Sequence, residues 1–380
     1  MPANSAPSTL ASLLPAWLRQ TMTNLLSVAV FALVLAAGWW LIDHALPTHF
    51  ALFAFGHTFE VGKLGATVLP MAMVGFLVVP CIFLIELAVV GWSASSLRTL
   101  VGLRTPSSLA DFSCSMMQQL HIFGLLGDVL TLGVSIVSGA WVNHWLRNTF
   151  GMDLSLRAFP VVVQFASYYA LFGFFQYWSH RLQHHGWLWK MHRMHHSADE
   201  FCIFTSDRVH PGENYGRLIN TALPLAIFGA PMAIVVGVKL FERSAQYLRH
   251  SRLDWDFGWV GRYLVQSPAH HRLHHRLDTG AGDANYGVMP LWDHVFGTWR
   301  EAPVQAYVIG VDHPYRNGLW IVPDLWRDYR DFWIEVALGF GNIIRPRACR
   351  PALPSDDAVA ALLAPERVTA MAKAAVAPNA

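Results

Sequence analysis

The sequence predicts an all-α protein, an integral membrane helical bundle of about four spans and a kinked hairpin, with a histidine-rich cap on its cytoplasmic side. Composition gives the first reason: hydrophobic residues make up 54% of the 380 residues and charged residues only 14%, against roughly 25% in a soluble domain. The second reason is a series of apolar runs long enough to cross a bilayer. The third is histidine, which occurs 19 times and clusters after these runs.

The composition also excludes several classes of protein. A net charge of +2 gives no basis for binding nucleic acid, so no nucleic-acid partner is expected. The four cysteines are scattered and form no C-x-x-C pair, which argues against a disulfide framework. Residues 1–23 hold a single basic residue, and the apolar run after them lacks a small-residue cleavage site. We therefore expect a retained membrane anchor rather than a removed signal peptide.

The apolar runs follow one another along the first two thirds of the chain. A membrane-spanning helix needs roughly 20 apolar residues. Runs of this kind cover residues 24–46, 64–90, 120–145 and 158–178. The stretch 218–240 is also apolar, but prolines and glycines interrupt it. We expect a helical hairpin or a kinked span there, because neighbouring groups can satisfy the backbone that proline frees.

These runs divide the chain into five predicted segments. They are 1–23 (N-terminal cytoplasmic segment), 24–157 (N-terminal transmembrane helices), 158–300 (histidine-rich domain), 301–353 (interfacial amphipathic segment) and 354–380 (alanine-rich tail). Basic residues near span ends mark the cytoplasmic side of a membrane protein. Lys and Arg gather on the side that carries the histidines. The histidines are therefore expected at the cytoplasmic face of a bacterial inner membrane or an ER-type membrane.

Histidine spacing carries the strongest signal. Side chains three and four residues apart share one face of a helix, and an H-x-x-x-H pair and two H-x-x-H-H boxes have this spacing, so each is expected to present its imidazoles to one point. Their histidines are His180, His184, His192, His195, His196, His271, His274 and His275. These are too many for the four ligands of a structural zinc site, so the spacing indicates a di-metal cap. Neutral imidazole binds Fe, Zn, Cu and Ni, which leaves the metal open.

The order of several motifs resembles that of a known family. The motifs are Y-W-S-H-R-L-Q-H (177–184), L-W-K-M-H-R-M-H-H-S (188–197), R-V-H-P-G-E (208–213), S-P-A-H-H-R-L-H-H (267–275), N-Y-G (285–287) and W-D-H-V-F-G-T-W (292–299). Together they resemble the fatty acid hydroxylase (sterol desaturase) superfamily of membrane di-iron enzymes. The resemblance implies that segment 158–300 is a fatty acid hydroxylase-like catalytic domain.

The resemblance also implies a set of metal ligands. It makes the eight box histidines iron ligands and adds His250, which stands where the family has a further ligand. His210 is a lower-ranked ligand, because only part of the family has it. His185 and His270 adjoin the boxes, and we interpret them as neighbours because adjacent imidazoles point to different faces of a helix.

Three polar residues are expected to support the ligands as catalytic residues. A metal-bound histidine usually donates its other N–H to a carboxylate or a carbonyl, and Glu213 and Asp293 are candidates for this role. Asn285 completes the set, and a simple turn explains its N-Y-G motif equally well.

For the whole protein, the resemblance implies an O₂-dependent monooxygenase with two non-haem irons, or zinc as purified. Its substrate would be lipid-like, such as a sterol, a fatty acyl chain, an ether lipid or a carotenoid. The sequence shows no haem, flavin or ferredoxin motif, so electrons are expected from a separate NAD(P)H-linked redox partner. Two alternatives stay open: a lipid desaturase with the same site, and a non-enzymatic membrane protein that binds zinc. A transporter would place its ligands in mid-span, whereas these histidines lie at span ends.

We expect the His195→Ala variant to lose metal and activity while it still inserts into the membrane, because no predicted span is altered. An isolated histidine near the end of the first span, His44, is the control, and His44→Ala should bind metal and turn over normally. Metal content and turnover of the purified variants measure both effects. Normal turnover in His195→Ala would refute the assignment of the site.

Overall fold

The computed structural model describes residues 51–54, 57–60, 78–120, 122–130, 158–276, 284–302, 309–311 and 318–344, together with single residues between these segments. The described part of the chain is helical apart from one short hairpin. In chain order its main helices are α1 (78–89), α2 (Pro106–Gln119), α3 (Ile122–Leu130), α4 (Val161–Gln183), α5 (Trp189–His196), α6 (Leu223–Phe228), α7 (Met232–Arg249), α8 (Gly258–Tyr263), α9 (Pro268–His274), α10 (Leu291–Val295) and α11 (Val322–Ile344).

The hairpin departs from the all-α fold that the sequence predicted. Strand β1 (Ala51–Ala54) pairs antiparallel with β2 (His57–Glu60), so that Ala51 lies opposite Glu60. The segment contains three phenylalanines and one threonine, and both residue types favour extended backbone. The segment lies between two of the predicted apolar runs and is too short to form a helix of typical length.

Helices α4 and α7 form the central pair of the fold. They pack against each other, and both end where the histidines lie, since His180 is in the last turn of α4 and His250 directly follows α7. Tyr169 and Phe241 meet edge to face, with ring centroids 5.2 Å apart. Each buried aromatic side chain removes a large apolar area from water. The pair therefore holds the two ligand-bearing helix ends side by side.

The apolar run 158–178 corresponds to α4, but the helix extends further than the run. It begins after Pro160 and continues to Gln183, with His184 as its C-terminal cap. His180 is thus part of the helix, and its backbone is fixed by helical hydrogen bonds rather than by a loop.

The interrupted run 218–240 contains two helices. Helix α6 ends at Phe228, and α7 starts after Pro231. Gly229 between them has a φ of 52°, a left-handed conformation that glycine adopts without strain. The expected kink is therefore a complete break at residues 229–231.

The predicted membrane spans fall only partly within the described residues. Apart from single residues, run 24–46 lies outside them, as do much of 64–90 and 120–145 and the whole tail 354–380. Among the helices that the structure does describe, none combines the length and the apolar character needed to cross a membrane.

A buried ion pair joins α2 to the chain beside the histidine boxes. Arg208 is 1% exposed, and its Nε donates to Oδ1 of Asp111 over 2.7 Å. The same guanidinium donates to Oγ of Ser197 and to Ser107. A buried charge without such partners would cost several kcal/mol. The Arg208–Asp111 pair therefore fixes the position of the segment that follows α5.

The Asp111→Asn variant keeps the shape of the side chain but leaves the Arg208 charge without its counter-charge. We expect it to lower the free energy of unfolding by about 3–5 kcal/mol. The control is Asp254→Asn, because the pair of Asp254 with Arg272 is exposed, and its effect should stay within about 1 kcal/mol. Unfolding in detergent, followed by circular dichroism, measures both. Equal losses in the two variants would contradict the assigned role of Asp111.

Candidate metal centre

Helical spacing brings the two histidines of α4 together. His180 and His184 are four residues apart, which places both imidazoles on one face at the end of the helix. His180 donates from Nδ1 to the carbonyl of Tyr286 over 2.7 Å. Its Nε2 atom is therefore unprotonated, and it lies 3.1 Å from Nε2 of His192 on α5.

Helix α9 has a strongly defined start. Ser267 caps it by accepting a hydrogen bond from the backbone N–H of His270, and Pro268 occupies the first turn. Because the cap fixes where the helix begins, it also fixes the direction in which each later side chain points. His271 and His274 consequently point to two different places.

The histidines form two groups, each compact enough for one metal ion. Nine of the ten predicted ligands take part, and within each group the ligand nitrogens all lie within 4.8 Å of one another. Site A consists of His180, His184, His192, His196 and His274, and site B consists of His195, His250, His271 and His275.

The structure divides each H-x-x-H-H box between the two sites, whereas the spacing suggested one point per box. The outer pair His192 and His196 belongs to site A, and His195 belongs to site B. In α9 the outer pair belongs to site B and the inner His274 to site A. Consecutive helical residues point about 100° apart, which explains the division. The rings of His196 and His275 stack at 4.2 Å between centroids, so the two sites adjoin.

The donor atoms of site A fit a bound cation. His274 donates from Nδ1 to the carbonyl of Ala284 over 2.7 Å, as His180 does to its own carbonyl partner. A neutral imidazole carries one N–H, so the Nε2 atoms of His180 and His274, 3.1 Å apart, both present lone pairs. Facing lone pairs repel, and a metal ion between them removes this repulsion. Nε2 of His184 and of His196 is likewise buried without a hydrogen-bond partner.

Site B repeats this arrangement. His250 donates from Nδ1 to the carbonyl of Gln246 over 2.8 Å, which leaves its Nε2 unprotonated. That atom lies 3.0 Å from Nε2 of His271, which lies 3.2 Å from Nε2 of His275. Three ring nitrogens thus converge on one point, and that of His250 is unprotonated.

Burial keeps these histidines in the form that binds metal. It lowers the pKa of His250 and of His274 to about 3. It also lowers the pKa of His180 and of His196 well below the usual range. Metal ligation requires the neutral imidazole, and both sites therefore hold neutral ligands at neutral pH.

Glu213 lies beside site A, where a supporting carboxylate was expected. Its Oε2 accepts hydrogen bonds from Nδ1 of His192 at 3.1 Å and from Nε2 of Gln183 at 2.7 Å. The carboxylate is buried, and this contact turns the Nε2 atom of His192 toward the metal position.

Asp293 touches no ligand imidazole and acts on the backbone instead. It accepts from the backbone N–H groups of Tyr286 and Gly287, both over 2.8 Å, and from Oγ1 of Thr298 over 2.7 Å. The carbonyl of Tyr286 is the group that orients His180. Asp293 therefore positions the loop whose carbonyl orients His180.

Asn285 belongs to the same loop and has a φ of 56°, a left-handed conformation that asparagine tolerates. Its Nδ2 donates to the carbonyls of His270 and Arg300, and its Oδ1 accepts from the N–H of Arg300. These bonds anchor the loop next to Ala284, whose carbonyl orients His274. The N-Y-G motif is thus a turn that also serves the site.

Three other histidines near the boxes stay outside both sites. His210, the lower-ranked predicted ligand, accepts from the N–H of Gly212 at Nδ1 and bonds the carbonyl of Leu325 through Nε2, both over 3.0 Å. His185 is exposed. His270 is buried, and its Nδ1 is hydrogen-bonded to Oγ of Ser267. The structure brings none of the three to a metal position.

Sequence reasoning missed the groups that orient the ligands. The carbonyls of Gln246, Ala284 and Tyr286 fix three imidazoles, and main-chain atoms leave no signal in a sequence. Arg208 belongs to the motif R-V-H-P-G-E, but the motif does not predict its buried ion pair with Asp111. The carbonyl of Arg208 lies 3.3 Å from Nδ1 of His195.

The Glu213→Gln variant removes the charge that accepts the N–H of His192. We expect the metal affinity of site A to fall by about 10–100-fold, as is typical when a group supporting a ligand is lost. Glu335→Gln is the matched control, because Glu335 is an exposed carboxylate paired with Lys190. Competition with a chelator measures both affinities. An unchanged affinity in Glu213→Gln would show that the carboxylate does not support the site.

Known proteins share the part of the chain that carries these sites. The family model for fatty acid hydroxylase matches residues 165–298. An alkylglycerol monooxygenase of Danio rerio is 32% identical over 163 residues, 41% of this chain and 35% of that protein. An ornithine lipid hydroxylase of Rhizobium tropici is 27% identical over 185 residues, 48% and 54% of the two chains. A very-long-chain aldehyde decarbonylase of Oryza sativa subsp. japonica is 26% identical over 146 residues, 35% and 22%.

The matches are confined to part of each protein. The matched segment spans about a third of the length of the alkylglycerol monooxygenase and about half of the ornithine lipid hydroxylase. No solved structure matches this chain significantly. The family match includes every histidine of sites A and B, and it confirms the resemblance found in the motifs. Residues 165–298 are therefore similar to the fatty acid hydroxylase family.

Proposed function

We propose that the protein is a membrane-bound non-haem di-iron oxygenase that inserts an oxygen atom into a C–H bond of a lipid-like substrate. The observation that carries this proposal is the pair of adjoining histidine groups, with five ligands in site A and four in site B. A structural zinc site is complete with four ligands and does not require a second metal beside it. Two groups that share their helices favour a pair of metals that act together.

Iron is the metal that we propose for both sites. Imidazole alone does not select it, because the same ligand binds zinc and copper. The names of the relatives support a redox-active metal over zinc, because a metal centre that activates O₂ for a monooxygenase or hydroxylase reaction must change its oxidation state, and zinc has no redox chemistry. When bound, the irons would supply the electrons that activate O₂. Zinc in purified protein would not contradict this, since zinc outcompetes iron(II) at nitrogen ligands.

The contribution of the protein is a rigid and dry site. Backbone carbonyls and Glu213 hold His180, His192 and His274 in one orientation, so that a metal would meet preformed ligands there. All nine ligands are buried except His184, which is partly buried. Exclusion of water protects a strong oxidant from side reactions and directs it to the bound substrate.

A lipid with a long apolar chain is the proposed substrate. Two relatives are named for alkylglycerols and for ornithine lipids, which favours an acyl or ether lipid over a sterol or a carotenoid. The apolar core between α4 and α7 directly adjoins the ligands at the ends of these helices. An apolar chain would therefore meet compatible side chains close to the metals.

The proposed location is an integral membrane one, with the sites at the cytoplasmic face. Large apolar side chains are exposed on several helices: Val162 of α4 is 77% exposed, Leu125 of α3 67% and Trp326 of α11 65%. Extended apolar surface marks contact with lipid or protein, and tryptophan is enriched at membrane interfaces. Helix α11 lies within the segment expected to be interfacial and amphipathic.

A separate NAD(P)H-linked protein is the proposed source of electrons. Reduction of O₂ to one inserted oxygen atom and one water needs two electrons beyond those of the substrate. The four cysteines are not spaced as ferredoxin ligands, and the sequence shows no haem or flavin motif.

Lipid mass spectrometry tests this function directly. Membranes that contain the wild type, the His195→Ala variant or the His185→Ala variant are compared under air with a reductase present. His185 is exposed and outside both sites, so its variant serves as the matched control. We expect a lipid that gains one oxygen atom in the wild type and in His185→Ala, and that does not in His195→Ala.

Other outcomes of this experiment would change the proposal. A lipid that loses two hydrogens and gains no oxygen would make the protein a desaturase with the same site. Identical lipids in all three membranes, together with two tightly bound zinc ions and no iron, would favour the non-enzymatic alternative.

A further inference from the structure

A row of four aromatic rings leads from the protein surface to His270, the residue before the site B histidine His271. Tyr263 stacks on His294 with centroids 4.7 Å apart, and His294 stacks on Trp299, also at 4.7 Å. Trp299 in turn packs on His270 at 4.5 Å. His270 directly precedes His271, which belongs to site B. We call these four residues the aromatic row.

The exposure of the row decreases from one end to the other. Tyr263 is 40% exposed, His294 and Trp299 are partly buried, and His270 is 3% exposed. None of the four belongs to site A or site B. The row therefore connects solvent to the backbone of a metal ligand without being part of the metal centre.

Trp299 has a proton acceptor beside it. Its Nε1–H donates to Oε1 of Glu301 over 3.4 Å. Glu301 is partly in solvent and also pairs with Arg262 at 2.7 Å. Loss of an electron makes an indole N–H strongly acidic, and a carboxylate at this place can take up the proton.

We propose that the aromatic row carries oxidising equivalents away from the metal centre to the surface when O₂ has been activated and no substrate is bound. This inference rests on the proposed oxygenase function. Tryptophan and tyrosine are the side chains most easily oxidised by one electron, and the row contains one of each with a stacked histidine between them. It would protect the histidine ligands from oxidation.

The electrons and protons of the proposed transfer balance. Trp299 gives one electron to the centre and its Nε1 proton to Glu301, which leaves a neutral indolyl radical. That radical takes an electron from Tyr263 across the His294 ring and regains its proton from Glu301. Tyr263 releases its phenolic proton to water and becomes a tyrosyl radical. A soluble one-electron reductant, such as a thiol or ascorbate, then returns an electron while water returns the proton.

The chemistry of the row favours outward transfer over the entry of electrons from a donor. An electron that arrives from a reductant at low potential oxidises no side chain on its way, so it needs neither tyrosine nor tryptophan. It also needs no carboxylate to accept a proton from Trp299. The structure contains the tyrosine, the tryptophan and the carboxylate that outward transfer needs.

Two variants that keep an aromatic ring at each position of the row test the proposal. Tyr263→Phe removes the oxidisable phenol, and Trp299→Phe removes the indole and its N–H. The iron-loaded proteins are reduced under anaerobic conditions, freed of reductant and mixed with O₂ without lipid. Rapid-freeze EPR records radicals, and peptide mass spectrometry records added oxygen. Tyr329→Phe is the control, because Tyr329 is a partly buried tyrosine on α11 outside the row.

We expect a tyrosyl radical in the wild type and in Tyr329→Phe. In Tyr263→Phe this signal is lost, and oxygen accumulates on the peptide that contains Trp299. In Trp299→Phe the tyrosyl radical is also lost, and oxidation moves to the ligand histidines, with a faster loss of bound iron. Radicals and oxidised peptides that are the same in all four proteins would overturn the proposal.

Failure of the inference can be told apart from failure of the function. If the reduced wild type consumes no O₂, the oxygenase function fails and the inference fails with it. If it consumes O₂ and the variants behave as the wild type does, only the inference fails. If the variants differ solely by slower reduction of the iron by a donor protein, the row carries electrons inward, which also overturns the proposal.

Discussion

The convergence of unprotonated nitrogen atoms on two points is the constraint on which the rest of this structure depends. Lone pairs such as those of His180 and His274, 3.1 Å apart, repel one another, and burial denies them water. Such an arrangement persists only when the surrounding fold imposes it. The long pair α4 and α7, the capped start of α9 and the Arg208–Asp111 ion pair each fix one of the segments that supply these atoms.

Helices and loops contribute to the site in different ways. Helices set where each imidazole stands, because their period decides which side chains share a face. The loop at residues 284–290 sets how two imidazoles are turned, because its carbonyls accept the Nδ1 protons of His180 and His274 and leave their Nε2 atoms free. This loop is itself held by hydrogen bonds that the side chains of Asn285 and Asp293 form with backbone groups. The orientation of these two imidazoles thus depends on side chains that lie outside both sites.

The sequence predicted the parts of the site that side chains form, and it did not predict the parts that the backbone forms. Helical spacing and the motifs singled out all nine histidines that the structure brings together, and the carboxylate Glu213 beside them. They did not predict the division of each box between two sites, which needs the relative placement of α4, α5, α7 and α9. His210 shows the opposite error: its motif suggested a ligand, but the carbonyl of Leu325 and the N–H of Gly212 take both its ring nitrogens. Leu325 is more than a hundred residues away along the chain, and no local pattern reports such a contact.

The division of ligands between the sites has a consequence for how the protein acquires its metals. His195 and His196 are consecutive residues of α5 that belong to different sites, and His274 and His275 are consecutive residues that do the same at the end of α9. Neither segment can therefore move without displacing a histidine of each site. A substitution that shifts α5 or α9 should consequently disturb metal binding at both sites together, even where it touches only one of them.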